Sequence, residues 1–182
     1  MLQEKKAIES YFKYHVETDE SLLALFSDDS GYNELLKNYY KPVSQELQEW
    51  MSAPYEQNPA FPEQLIHKVV SGNLLRSKSE TIIDMFLYYN QIPYRYEAEL
   101  ILGHVSFHPD FTIRHPKTGE IFYWEHFGLM DDPSYYQKTF SKLQLYAYHG
   151  IIPSINLITT YETQTNPLSA DMVEKIVKHY FL

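Results

Sequence analysis

The sequence predicts an α/β protein in which a mixed central sheet is flanked by helices and preceded by an N-terminal helical extension. From about residue 72 the apolar residues alternate between the period of strands and the period of helices, in the order helix, three strands, helix, strand, helix. That order favours one sheet with helices packed on it. Before residue 72 the pattern is helical with frequent breaks. We therefore place the extension at residues 1–71 and the α/β domain at residues 72–182.

The extension carries no pattern that indicates chemistry. Short helices are predicted over residues 3–16, 21–26 and 43–51, followed by a proline-rich loop over residues 52–62. The polar first residues predict no secretory signal, and no apolar run is long enough to cross a bilayer. The absence of cysteine excludes a disulfide framework and a thiolate zinc site, and it fits a cytoplasmic protein.

Each element of the α/β domain has a signal of its own. A capping box over residues 77–80 begins a helix that runs to residue 90. Asp132 and Pro133 begin a second helix, which ends near Gly150. Strands are predicted over residues 94–102, 107–114, 120–127 and 155–160, and a closing helix over residues 168–180.

The turn between the second and third strands brings two acidic side chains together. If it is centred between Lys117 and Thr118, Asp110 lies opposite Glu125 with Cβ atoms roughly 5 Å apart. A bulge at Gly119 would shift the pairing by one residue. Two facing carboxylates among aromatic residues repel each other, and a divalent cation would remove the repulsion. Either acid, considered alone, is more often structural, and the spacing leaves that alternative open.

The ordered acids and elements resemble the PD-(D/E)XK nuclease superfamily, also called restriction-endonuclease-like, over about residues 72–182. The matching residues are Glu80, Pro109-Asp110 and Glu125. The resemblance implies a restriction-endonuclease-like core. It also implies a metal-dependent nuclease that uses Mg²⁺ or Mn²⁺ to hydrolyse phosphodiester bonds in nucleic acid, with DNA as the expected substrate in preference to RNA. It implies that Asp110, Glu125 and the backbone carbonyl of His126 hold the metal. Glu80 would face the site in addition to its capping role.

The sequence departs from the family at one position. The family's lysine lies two residues after the second acid, where this chain has Phe127. In some members a neighbouring element supplies the lysine. We expect Lys142 to take that role, ahead of Lys138 and Lys78, although solvated surface positions are the commoner fate of lysines.

Alternatives to a nuclease stay open. The missing lysine and the net charge of −9 also fit a catalytically decayed module that binds nucleic acid or a partner protein. The N-terminal helices could instead form a protein-interaction domain. Nucleic acid is the expected partner, with DNA preferred to RNA. A homodimer or a larger helicase, repair or defence assembly is a further option.

Other polar and aromatic residues have weaker signals. The spacing of His104, His108, His115 and His126 fits no familiar zinc pattern. Glu97 is interpreted either as an extra metal ligand or, preferably, as a solvated residue at a strand edge. Six aromatic residues either stack on bases or pack in the core: Tyr94, Tyr96, Tyr123, Trp124, Tyr135 and Tyr136.

Overall fold

A computed structural model describes residues 45–182, and the helices predicted over residues 3–16 and 21–26 lie outside this range. The α-helices are α1 (Gln45–Ser52), α2 (Lys78–Tyr89), α3 (Pro133–Tyr148) and α4 (Ala170–Phe181), with a 3-10 turn at Pro62–Gln64. The strands are β1 (His67–Lys68), β2 (Leu74–Leu75), β3 (Tyr94–Tyr96), β4 (Leu100–Leu102), β5 (Val105–Phe107), β6 (Phe111–Arg114), β7 (Ile121–Phe127) and β8 (Leu157–Tyr161). None of the helices in this part of the chain combines the length and the apolar character needed to cross a membrane.

The central sheet is mixed and is flanked by helices, as the sequence predicts. Its strand order is β3-β6-β7-β8. The β3–β6 and β6–β7 pairs are antiparallel, and the β7–β8 pair is parallel. On one face, Phe111 and Trp124 pack with residues of α2 and α4 in the larger apolar cluster. On the other face, Tyr123 and Leu157 pack against Tyr146 of α3 in the smaller one. Neighbouring residues of β7 therefore point to different helical layers.

The β6–β7 hairpin has the predicted register. Phe111 pairs with Trp124 and Thr112 with Tyr123, and the same register continued by one residue sets position 110 opposite position 125. Gly119, with φ of 73°, lies in the turn and does not shift the pairing. Its backbone N–H donates to the carbonyl of His115, which closes the turn. The turn residues thus place Asp110 and Glu125 opposite each other across the hairpin.

The strands predicted over residues 94–102 and 107–114 are each interrupted, and this part of the prediction is wrong. Glu97 adopts a φ of 48°, which turns the chain out of the sheet after β3. Residues on either side of residue 104 then form the separate β4–β5 hairpin. Pro109 has no backbone N–H to donate to a ladder, and β6 begins two residues later. Asp110 consequently lies immediately before β6, at the end of the hairpin opposite the turn.

The predicted helix signals are confirmed. Ser77 and Glu80 form the capping box of α2, in which each side chain accepts from the other residue's backbone N–H. Asp132 caps α3 by accepting from the N–H groups of Ser134 and Tyr135. α3 ends at Tyr148, with Gly150 at a φ of 80° just beyond it. α3 therefore begins and ends close to the predicted residues.

Residues 45–71 lie in the same compact unit as the domain predicted over residues 72–182. Gly72 lies in the turn of the β1–β2 hairpin, inside one compact unit that takes in the described residues from 45 onwards. The Arg95 guanidinium of β3 lies 4.5 Å from the ring centroid of Trp50 and 4.9 Å from that of Tyr55. These contacts join α1 and the following loop to the sheet, because stacked cations and aromatic rings attract each other.

Candidate functional site

Glu125 is the most enclosed of the predicted site residues. β7 presents it to the face covered by α3, and only 2% of its surface is exposed. The ammonium of Lys142 lies 2.7 Å from Oε1 and 2.8 Å from Oε2. The hydroxyl of Tyr146 donates to Oε1 at 2.6 Å. A buried carboxylate requires such partners, and here both come from one helix.

The inward face of α3 selects one of the three candidate lysines. Lys142 and Tyr146 are four residues apart, so they lie one turn apart on the same side of the helix. The Lys142 ammonium also lies 5.6 Å from the centroid of the Tyr146 ring. Lys138 and Lys78 are exposed. Of the three lysines, Lys142 alone is placed against the buried acid.

Asp110 is fixed through both its backbone and its side chain. Its carbonyl accepts from the N–H of Glu97 at 3.0 Å, which extends the β3–β6 pairing by one residue. Its Oδ2 accepts from the backbone N–H of His126 at 2.6 Å. The carboxylate is thereby held beside the end of β7, next to the residue that follows Glu125.

Asp110 lies in an electrostatic environment where negative charges outnumber positive ones. Burial raises its pKa well above the ordinary value, and the charges of Glu125 and Glu80 raise it further. The charge of Lys142 and the N–H of His126 act in the opposite direction but do not cancel these effects. Three carboxyl groups and one ammonium therefore influence the same small region, and the acids outnumber the base.

Glu80 combines the predicted capping role with a position in this acidic cluster. Its Oε2 accepts from the backbone N–H of Arg76 at 3.0 Å and from the hydroxyl of Tyr96 at 2.7 Å. Because Tyr96 is buried in β3, it links the start of α2 to the sheet. The raised pKa of the Tyr96 hydroxyl, caused by burial and by the charge of Glu80, keeps it protonated as a donor.

Tyr135 is a further residue of this region that the sequence indicated only as an aromatic. It lies in the first turn of α3 and is half-buried. Burial raises the pKa of its hydroxyl, as do the charges of Asp110, Glu125 and Glu80, against the opposing effect of the Gly128 backbone. The phenol therefore senses all three acids. Tyr135 lies seven residues, or two helical turns, before Lys142. This spacing places both residues on one face of α3 and is the feature of the sequence that could have indicated Tyr135.

The ring of His126 points away from the acids, as the alternation of strand residues predicts. Its Nδ1 lies 3.0 Å from Oγ1 of Thr160, and its Nε2 lies 3.4 Å from Oε1 of Glu162. Within residues 45–182, no group of three or more histidine, aspartate or glutamate side chains is arranged to hold a metal ion. The proposed role of the His126 carbonyl stays a prediction.

Glu97 is buried rather than solvated, which corrects the preferred interpretation. Only 5% of its surface is exposed, and its Oε1 accepts from Nε of Arg76 at 2.7 Å. Its Oε2 accepts from Nη2 of the same guanidinium at 3.0 Å. Asn58 donates to Oε1 as well. Glu97 thus belongs to a buried ion pair that ties the start of α2 to the end of β3.

A packed aromatic ring occupies the position two residues after Glu125, where the resemblance would place a lysine. Phe127 is buried, and its ring stacks on that of Tyr161 with centroids 5.4 Å apart and planes inclined by 23°. Tyr161 pairs with Phe127 across the parallel β7–β8 ladder. A lysine ammonium at this position would have to replace that stack, so any basic group near Glu125 has to come from another element.

Comparisons of this chain with protein-family models, with curated proteins and with solved structures give no match.

Proposed function

We propose that this chain is a metal-dependent nuclease with a restriction-endonuclease-like core. It hydrolyses phosphodiester bonds in nucleic acid, and DNA is the expected substrate. One observation carries the proposal: Lys142 pairs with Glu125 in the region where Glu125, Asp110 and Glu80 interact electrostatically. The family resemblance requires two acids, a facing glutamate and a lysine. With the separate β4–β5 hairpin set aside, the elements from α2 to β8 follow the order helix, three strands, helix, strand, which supports the proposal.

The donor set suits a hard divalent cation. Asp110, Glu125 and the carbonyl of His126 would hold Mg²⁺ or Mn²⁺, and such ions prefer carboxylate and carbonyl oxygens. Since no larger group of ligating side chains is arranged within residues 45–182, water and substrate oxygens would complete the coordination. Once bound, the cation would activate water and neutralise charge on the scissile phosphate.

The protein's own residues would prepare the site for that cation. Glu125 now shares both of its oxygens with Lys142, so the ammonium has to leave at least one of them. Released from Glu125, Lys142 would lie beside the site and stabilise negative charge on the phosphate. Asp110 has to be deprotonated to hold the cation. Its raised pKa opposes the loss of the proton, and the charge of a bound cation would lower the pKa and favour that loss.

The second candidate function is a non-catalytic module of the same fold that binds nucleic acid or a partner protein. A specific observation favours it: donors from Lys142 and Tyr146 already satisfy Glu125. Such a network can hold a core together without any metal. A nuclease and a module of this kind differ in whether the acids are needed for cleavage rather than for folding.

The test is a cleavage assay of the full chain on single- and double-stranded DNA and RNA, with Mg²⁺, Mn²⁺ or EDTA. We expect metal-stimulated cleavage by the wild type and a loss of about 100-fold or more in Asp110→Asn and Glu125→Gln. The matched control is Asp84→Asn, because Asp84 is a buried acid of α2 that accepts from Ser71, Asn73 and Tyr94 instead. Cleavage that is unaffected by both site variants would contradict the proposal.

A further inference from the structure

Tyr146 contacts both members of the central ion pair. Its hydroxyl donates to Oε1 of Glu125 at 2.6 Å, and its ring lies under the Lys142 ammonium at 5.6 Å. The side chain is fully buried between α3 and the sheet, where its ring centroid lies 5.5 Å from that of Phe107. Packed on all sides, the tyrosine has little freedom to follow a moving partner.

The two donors to Glu125 differ in their freedom to move. Lys142 reaches Glu125 through a flexible chain, and its side chain is 29% exposed, so solvent offers its ammonium an alternative. The hydroxyl of Tyr146 is enclosed. One donor can therefore leave while the other remains.

We propose that Tyr146 is a positioning residue, whose hydroxyl keeps the Glu125 carboxylate oriented when Lys142 leaves it. The hydrogen bond occupies one lone pair of Oε1 and sets the plane of the carboxylate. The oxygens that Lys142 vacates would then stay directed as they are now and receive the metal without a search through rotamers. Outer contacts of this kind tune metal affinity in many sites. This inference rests on the proposed function for its consequence, although the positioning itself does not require a metal.

The positioning is tested first without metal, by crystal structures of Lys142→Met and of Lys142→Met/Tyr146→Phe. We expect Glu125 to keep its orientation and its contact with Tyr146 in the single variant, and to rotate or become disordered in the double variant. If Glu125 has already moved in Lys142→Met, or if it is unmoved in the double variant, the inference is overturned, whatever the protein's activity.

The consequence is tested by titrating Mn²⁺ into the full chain, both for binding and for the metal dependence of cleavage. We expect Tyr146→Phe to weaken Mn²⁺ binding about tenfold and to raise the half-saturating Mn²⁺ concentration equally. The turnover rate at saturating Mn²⁺ should change little. The matched control is Tyr94→Phe, which removes another buried phenol that donates to a carboxylate, Asp84, at 2.5 Å.

The outcomes separate the inference from the proposed function. Equal metal dependence in Tyr146→Phe and wild type, or an equal loss in Tyr94→Phe, would overturn the role in metal binding. If the wild type neither binds Mn²⁺ nor cleaves, the proposed function fails, while the two crystal structures still decide whether Tyr146 positions Glu125.

Discussion

The Nζ atom of Lys142 lies 2.7 Å from Oε1 of Glu125, although the two residues are separated by 17 positions and belong to different elements. α3 places the lysine there while Phe127, on the strand itself, packs against Tyr161. The basic group that the strand lacks is thus supplied by the following helix. An ammonium and a divalent cation would compete for the same carboxylate.

Replacing Lys142 should separate metal binding from cleavage. In Lys142→Met, the competing positive charge is gone, so we expect Mn²⁺ to bind about tenfold more tightly, a gain of about 1.4 kcal/mol. Cleavage should nevertheless fall by about 100-fold or more, because the phosphate loses its stabilising cation. Isothermal titration and single-turnover cleavage measure the two effects.

The control for this prediction lies one turn earlier on the same helix. Lys138 is exposed, so Lys138→Met should leave both Mn²⁺ affinity and cleavage within about twofold of the wild type. Equal losses in the two variants would show that general positive charge on α3, rather than the pair with Glu125, supports the reaction.

Asp110 should lower the stability of the metal-free protein as the pH rises. Its folded-state pKa is raised above the ordinary value of 3.8. Its contribution to stability is therefore complete below pH 3.8 and is lost as the pH rises through the raised value. In EDTA, Asp110→Asn should melt at nearly the same temperature as the wild type near pH 4. At neutral pH it should melt roughly 2–4 °C higher, or about 1 kcal/mol.

Thermal melts at a series of pH values measure this difference, and added Mn²⁺ should remove it by stabilising the wild type alone. The asparagine can still accept the N–H of His126, so the backbone contact is kept. A melting difference that is constant with pH, or that has the opposite sign, would show that Asp110 is not held in an acidic environment.

The two roles of Glu80 can be separated by a pair of variants. Glu80→Gln should keep the capping box, since glutamine also serves there, yet it should weaken Mn²⁺ binding because the cluster loses one charge. Ser77→Ala should instead destabilise the fold by about 1 kcal/mol, because α2 loses its cap. It should leave Mn²⁺ affinity unchanged. Urea unfolding and Mn²⁺ titration of both variants test the separation, and identical profiles would contradict it.

Glu97 should matter for folding and not for the metal. Replacing it with glutamine leaves the Arg76 guanidinium, whose side chain is 15% exposed, without its charged partner. Breaking a buried pair on one side costs roughly 3 kcal/mol, and urea unfolding should show a loss of that size. Mn²⁺ affinity below the melting temperature should be unchanged. A tenfold loss of affinity would make Glu97 a ligand after all.

The local features of the fold were predictable because each depends on a few neighbouring residues. The turn around Gly119 sets the register of Asp110 against Glu125, and Ser77 with Glu80 begins α2. The interruption at Glu97 was not predictable from alternation. It depends on the Arg76 ion pair and on contacts with the loop before β1, which join residues far apart in the sequence.

The acidic residues of the candidate site were easier to predict from the sequence than Lys142 and Tyr146, the residues that contact Glu125. The acids are marked by their opposite positions on a hairpin, a local relation. The choice of Lys142 over Lys138 depends on how α3 is rotated against the sheet, which the packing of both faces decides. Tyr146 could have been found from its four-residue spacing to Lys142, although nothing in the sequence shows that this face meets Glu125.

The most direct measurement is anomalous diffraction from crystals of the full chain soaked in Mn²⁺. Under the proposed function, we expect a single strong Mn²⁺ peak within coordination distance of the Asp110 and Glu125 carboxylates, with the Lys142 ammonium withdrawn from at least one oxygen of Glu125. Crystals that diffract equally well but show no peak there, with Lys142 still paired to both oxygens at millimolar Mn²⁺, would contradict it.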